Sequence, residues 1–398
     1  MAEGDVGCTE SESGYSSLYS RHSRNHLENV SMEICTIMTR LGYGEEVRRW
    51  RVEKWREFDR LMNAYDRLVH ARSLITNINA TITAGSKAEG LTCIYENDWD
   101  VLLVLGDVLC VEADINLLTI SDNIDVYRMD TMDTRVYPGH CRLLQERPAA
   151  HARHGIITQA LCDNGYGGVL LSSRLLLDEF SALQSTHNAY VEHHERAGPS
   201  MPDTIRGFLH VDKVIALRCY CPSILQRWAD RRRNWPSPTI VQKVVSLGAL
   251  VTPVGFKGSD YKNIEWRICF NTGEAELINN LNETQAKQHK WVADITDMLE
   301  GMPNVFLRLE KIRKAIVASP EPMMWFSKTR MELEMLQLEH TNRALEIIVT
   351  NGEVDDSDSI LEQIGSRMRD LSIQVAQRMF LKVSPANQLD DIINRMLM

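Results

Sequence analysis

The sequence predicts an α/β region followed by an all-α region. An amphipathic segment and several short β-branched stretches lie before residue 274, whereas the composition from Glu274 onward is helical. We expect a disordered tail over 1–25, a helix-and-sheet core over 26–273, a helical region over 274–350, and an acidic linker with a C-terminal helix over 351–398.

Composition excludes several classes of protein. Hydrophobic residues make up 44% and charged residues 25% of the 398 residues, which is typical of a folded globular protein. The net charge of -10 would repel a polyanion over most of the surface, so any nucleic-acid contact requires a local basic patch.

No apolar run approaches the roughly 20 residues that cross a bilayer, and the polar start lacks the apolar core of a signal peptide. We therefore expect a cytoplasmic protein with no membrane contact. The nine cysteines include no Cys-x-x-Cys pair, and we interpret them as reduced thiols.

The first long element is a predicted helix over 45–76, which contains no Gly or Pro. Apolar residues recur along it at helical spacing and predict one buried face, formed by Val47, Trp50, Phe58, Leu61, Tyr65 and Leu68.

Strands are predicted next. Two apolar, β-branched stretches, 78–83 and 101–105, are separated by a glycine-bearing turn over 84–90. Further short apolar stretches predict strands of the same sheet over 168–171, 211–219 and 266–270.

An acidic pair stands at the start of the second strand. Side chains alternate along a strand, so Asp98 and Asp100 point to one face and Trp99 to the other. Asp212, in a later apolar strand, is the candidate third carboxylate. Such a set suits two Mg²⁺ or Mn²⁺ ions about 4 Å apart that hold a nucleoside triphosphate. Gly85 and Ser86 would offer backbone N–H groups and a hydroxyl to phosphate oxygens.

An acid-x-acid triplet alone is weak evidence, because an acidic chain contains such triplets in solvated turns. The order of strand, Gly-Ser turn, acid pair, strand and a later strand acid favours the metal site, since a lone buried carboxylate is costly.

Five segments, 85–90, 97–102, 235–238, 265–270 and 281–287, together resemble the male-abnormal-twenty-one (Mab) domain, specifically its invertebrate cyclic GMP-AMP synthase-like receptors. The resemblance covers residues 45 to 290. It implies a bilobal nucleotidyltransferase fold, in which a lobe with a long N-terminal spine helix and a mixed sheet carrying the carboxylates faces a helical C-terminal lobe.

The resemblance also implies roles for individual residues. Asp98, Asp100 and Asp212 would be the catalytic metal ligands. The nucleotide site would comprise these three with Gly85, Ser86, Arg267, Glu274, Lys287 and Lys290. No zinc is expected, because the segment 274–287 is too short for a zinc module and contains no Cys or His.

Four arginines of the long helix, Arg49, Arg56, Arg60 and Arg67, fall in one stripe opposite the apolar face. They could hold the backbone of double-stranded RNA or DNA. Alternatively, they form a solvated face that pairs with Glu46, Glu53 and Glu57.

Two functional hypotheses follow. The favoured one is a ligand-activated enzyme of innate immunity that joins ATP- or GTP-type nucleotides into a cyclic dinucleotide, with a ligand-induced dimer left open. The alternative is a catalytically silent binding or scaffold protein that keeps the fold.

Overall fold

The computed structural model of the chain describes residues 24–70, 78–96, 98–131, 136–150, 155–184, 191–205, 207, 209–280, 320–351 and 358–380. Several predictions lie outside these ranges: residues 1–23 of the tail predicted over 1–25, helix residues 71–76, most of the acidic linker, and Lys287 and Lys290. Helix α1 begins at Arg24, so the last two residues of that predicted tail are helical.

Ten α-helices occur in the described residues. They are α1 (Arg24–Met38), α2 (Glu45–His70), α3 (Gly85–Ala88), α4 (Ile156–Gln159), α5 (Ser173–Gln184), α6 (Pro222–Ala229), α7 (Pro238–Leu247), α8 (Asn271–Asn279), α9 (Pro320–Asn351) and α10 (Ser359–Phe380).

The same residues contain eleven strands of one mixed sheet. They are β1 (Ile78–Thr83), β2 (Trp99–Val111), β3 (Asp125–Asp130), β4 (His140–Arg147), β5 (Leu161–Asp163), β6 (Val169–Leu171), β7 (Val191–His193), β8 (Met201–Ile205), β9 (Leu209–Tyr220), β10 (Ala249–Thr252) and β11 (Glu265–Cys269).

The sheet closes on itself around its longest strands. Its order is β1-β2-β3-β4-β11-β10-β9-β8-β7, and β2 also pairs with β9, so the strands from β2 to β9 along this path form a ring. Every strand of that ring contributes to one hydrophobic core, which includes Tyr127, Leu217 and Trp266. The ring therefore fixes β2 and β9 side by side.

The mixed α/β prediction is confirmed, as are the five predicted strands: β1 has the predicted bounds, β2 and β9 are longer than predicted, and the ends of β6 and β11 agree to within one residue. The predicted strands do not include β3, β4, β5, β7, β8 or β10. Strand β4 shows why: its charged residues hide the apolar alternation, yet Arg142 is buried and its guanidinium lies over the Tyr261 ring, 4.4 Å from the centroid.

The chain divides into two compact units. One comprises Glu45–Leu281 and Thr329–Met398 and contains the whole sheet. The other comprises Met1–Gly44 and Asn282–Lys328, of which residues 24–44 and 320–328 are described.

Two further properties hold for the described ranges. No helix there is both long enough and apolar enough to cross a bilayer. All eight cysteines there carry free thiols.

The buried face of α2 differs in part from the predicted one. Trp55 and Leu61 are buried, but Leu68 is 53% exposed. Arg48 and Arg51 lie on the buried face. A guanidinium tolerates burial only when it is paired, and both are: Arg48 bonds both oxygens of Glu45.

A buried ion pair connects α2 to α9. Arg51 Nε and Nη2 donate to the two carboxylate oxygens of Glu334, each at 2.8 Å, and both side chains are almost fully buried. The backbone N–H of Ile94 donates to Glu334 Oε1 at 3.0 Å. One carboxylate thus holds two helices and the loop that leads into β2.

We expect Arg51→Met to destabilise the protein by about 3–5 kcal/mol, because it leaves the Glu334 carboxylate buried without its cation. Urea unfolding measures the change. The double variant Arg51→Met/Glu334→Leu should lose less stability, since no uncompensated charge remains.

The matched control is Arg367→Met, which removes the exposed pair between Arg367 on α10 and Glu332 on α9. That change should cost less than about 1 kcal/mol. Equal losses for Arg51→Met and Arg367→Met would contradict the importance of the buried pair.

Candidate metal centre

The parallel pairing of β2 with β9 brings two carboxylates together. Asp100 stands directly opposite Asp212 in the register, and Asp98 lies just before β2. Each of the three offers an oxygen, and these oxygens lie within 4.8 Å of one another. In the described ranges this is the one group of three or more His, Cys, Asp or Glu side chains so arranged.

Apolar packing on the opposite side orients the acid pair. The Trp99 ring packs against Trp55 and Phe58 of α2, with a centroid distance of 5.6 Å to each. Its indole N–H donates to Thr83 Oγ1 at 3.2 Å. Because side chains alternate, anchoring Trp99 turns Asp98 and Asp100 to the other face.

Mutual repulsion marks this as a site for cations. Burial raises the pKa of Asp100, and the negative charges of Asp98 and Asp212 raise it further, while Lys87 opposes the shift. Three carboxylates are hard oxygen ligands, and a divalent cation would relieve their repulsion. The residues therefore fit a divalent metal ion.

The Gly-Ser turn lies directly against the acid pair. Gly85 has a φ of +60°, which favours glycine, and a Cβ at this position would overlap Asp100 Oδ2. The backbone N–H of Ala84 donates to the Asp100 carbonyl at 2.9 Å. Only glycine allows this close approach. Ser86 follows at the start of α3, and its hydroxyl lies 3.0 Å from Thr92 Oγ1.

Lys87 supports the loop between the turn and β2. Its side chain is 1% exposed, and Nζ donates to the carbonyls of Cys93 and Glu96 at 2.9 and 2.8 Å. Burial lowers the pKa of Lys87, against the opposing influence of Cys93 and nearby carboxylates. Arg330 on α9 also donates to Glu96, at 3.0 Å.

The two other described candidates for the nucleotide site are Glu274 and Arg267. Burial raises the pKa of Glu89, and the charges of Glu274 and Asp100 add to this rise. Glu274 is thus an electrostatic neighbour of the turn. Arg267 is exposed on β11. Burial raises the pKa of Cys269, the charge of Arg267 lowers it, and the charge of Glu274 raises it. Lys287 and Lys290 lie outside the described residues.

The arginine stripe is exposed, but its ion pairs differ from the alternative proposed above. Arg49 pairs with Glu45 at 2.7 Å. Arg56 pairs with the buried Glu276 of α8 at 2.9 Å. Arg60 and Arg67 are exposed.

Sequence reasoning did not find Ser200, whose hydroxyl donates to Asp212 Oδ1 at 2.7 Å. No local motif marks it. It reaches Asp212 only because β8 pairs with β9.

Residues 115–280 match the family model described as the Mab-21 protein nucleotidyltransferase domain. This part of the chain is similar to the Mab-21 nucleotidyltransferase domain. The matched residues include Asp212 and begin after Asp98 and Asp100, whose strand pairs with that of Asp212. The description of the domain names nucleotidyl transfer, which implies nucleotide substrates. No curated protein matches the chain.

We expect Gly85→Ala to weaken binding of an Mn²⁺-nucleotide complex by about tenfold or more, because the new methyl group displaces Asp100. Isothermal titration calorimetry measures the affinity. Ser86→Ala should weaken it less, since the backbone of the turn is unchanged.

Gly165→Ala is the matched control, since Gly165 also has a positive φ, +81°, but its Cβ would meet no atom within 4 Å. It should bind the complex as the wild type does. Equal affinity of Gly85→Ala and Gly165→Ala would show that the turn has no part in the site.

Proposed function

We propose that this protein is a metal-dependent nucleotidyltransferase that joins two ATP- or GTP-type nucleotides into a cyclic dinucleotide. The observation that carries the proposal is the convergence of Asp98, Asp100 and Asp212 at the paired starts of β2 and β9. The match to the Mab-21 nucleotidyltransferase domain supports nucleotidyl transfer.

The alternative, a catalytically silent scaffold, explains the carboxylates less well. Three neighbouring carboxylates repel one another: burial raises the pKa of Asp100, and the charges of Asp98 and Asp212 raise it further. A protein with no cation to bind gains nothing from this arrangement. A metal-using enzyme requires it.

In such a transfer, a nucleoside hydroxyl attacks the α-phosphorus of a triphosphate, the bond from that phosphorus to the pyrophosphate oxygen breaks, and the hydroxyl proton leaves to a carboxylate. Bound Mg²⁺ or Mn²⁺ would supply positive charge for the triphosphate and for the attacking oxygen. Asp98, Asp100 and Asp212 would hold two such ions, while Gly85 and Ser86 would receive phosphate oxygens.

Residues further along the chain would complete the nucleotide site. Arg267 and Glu274 would line the base and phosphate site, and Lys287 and Lys290 would reach triphosphate oxygens. The electrostatic link from Asp100 through Glu89 to Glu274 supports the placement of Glu274.

We further propose that the protein has the same role as the cyclic GMP-AMP synthase-like receptors and is a cytoplasmic sensor of innate immunity. Its ligand would be double-stranded RNA or DNA, and it would dimerise on that ligand. The exposed stripe of Arg49, Arg56, Arg60 and Arg67 supports a phosphate-binding face. Arg60 and Arg67 are the best candidates, because Arg49 and Arg56 already pair with carboxylates.

Purified protein incubated with radiolabelled nucleoside triphosphates and Mn²⁺ should form a cyclic dinucleotide that chromatography resolves. Asp98→Asn, Asp100→Asn and Asp212→Asn should each reduce product by more than about 100-fold without loss of folding, because each removes a metal ligand and relieves repulsion.

The control is Asp178→Asn, which alters an exposed aspartate on α5 that pairs with Arg174. It should leave product formation unchanged. Near-wild-type turnover in all three site variants would eliminate this site, and absence of product from the wild type with every nucleic acid tested would favour the scaffold.

Arg60→Glu/Arg67→Glu should abolish stimulation by double-stranded RNA or DNA and reduce the log-log salt slope of binding by roughly one unit per lost phosphate contact. Basal turnover should persist. Arg174→Glu/Arg367→Glu changes the net charge equally at other exposed positions and should leave stimulation intact. Stimulation that survives in the stripe variant would reject the ligand face.

A further inference from the structure

Ser200 is the side chain that fixes one oxygen of the third carboxylate. Its hydroxyl donates to Asp212 Oδ1 at 2.7 Å. A carboxylate attached to a strand can still rotate about its side-chain bonds. A hydrogen bond to Oδ1 restricts this rotation and leaves Oδ2 for another partner.

The backbone around Ser200 is held independently of its hydroxyl. The N–H of Ser200 donates to the Ala197 carbonyl at 3.2 Å, and the N–H of Ala197 donates to the Ser200 carbonyl at 3.1 Å. A positive φ at Gly198, +65°, permits this tight turn. The turn therefore closes without the hydroxyl.

The pairing of β8 with β9 places this turn beside the Asp212 carboxylate. Immediately after Ser200, β8 runs antiparallel to β9, with Met201 opposite Lys213 and Pro202 opposite Asp212. The N–H of His194 donates to the Pro202 carbonyl at 3.0 Å, so the two ends of the segment that contains this turn are also hydrogen-bonded. The position of the hydroxyl is thus set by the same pairing that positions Asp212.

We propose that Ser200 is a positioning residue that orients Asp212 to bind a divalent cation. It acts through Asp212 and does not touch the nucleotide. The proposal rests on the proposed function, in that it assigns Asp212 to the metal. Groups that hydrogen-bond a metal-binding side chain typically change metal affinity by about 10–100-fold.

The test is titration of the whole chain with Mn²⁺ alone, in which isothermal titration calorimetry measures the affinity. Ser200→Val and Ser200→Thr form the decisive pair, because they have nearly the same volume and differ by one hydroxyl. We expect Ser200→Val to bind Mn²⁺ about tenfold more weakly than the wild type. Ser200→Thr should restore wild-type affinity.

Two controls bracket the effect. Ser246→Ala removes an exposed hydroxyl that bonds the Lys243 carbonyl within α7 and should leave Mn²⁺ affinity unchanged. Asp212→Asn removes the ligand itself and should weaken binding at least as much as Ser200→Val. Thermal unfolding of each variant checks that the fold is kept.

The outcomes separate this inference from the proposed function. Equal Mn²⁺ affinity of Ser200→Val and the wild type would overturn the role of Ser200 while leaving the enzyme hypothesis standing. A wild type that binds Mn²⁺ more tightly than both Ser200→Val and Asp212→Asn but forms no product would support the inference and contradict the enzyme. A wild type that binds no Mn²⁺ would overturn both.

Discussion

The buried ion pair between Arg51 and Glu334 is the constraint on which the candidate site depends. It joins α2 to α9, and through the Ile94 N–H it also holds the loop that enters β2. Lys87 fastens the same loop from inside through two backbone carbonyls. Because Asp98 follows this loop directly, the position of the acid pair is set by contacts that lie outside the site itself.

The second constraint is repulsion among the carboxylates. Asp100 and Asp212 stand opposite each other on paired strands of a closed ring, so neither strand can shift to separate them without disturbing the common core. The glycine turn adds to the crowding, since Gly85 leaves no room for a side chain beside Asp100. The fold thus holds like charges together, which is favourable only if a cation binds there.

Local patterns predicted the centre of this structure. Strands β2 and β9 each contain an apolar run, Val101–Leu105 and Val214–Leu217, because parallel strands in this position are covered on both faces. Alternation predicted that Asp98 and Asp100 lie on one side. The remainder depends on distant partners. Arg51 looks like a surface residue of a charged helix, and its partner lies 283 positions away. Ser200 has no local signal, because its role arises from the β8–β9 pairing.

The most direct test of the account is a crystal structure of the protein with Mn²⁺ and a non-hydrolysable nucleoside triphosphate. We expect anomalous Mn²⁺ peaks at about 2.0–2.3 Å from oxygens of Asp98, Asp100 and Asp212, with phosphate oxygens against Gly85 and Ser86. A nucleotide bound elsewhere, or well-ordered density without a metal peak among the three carboxylates, would contradict it.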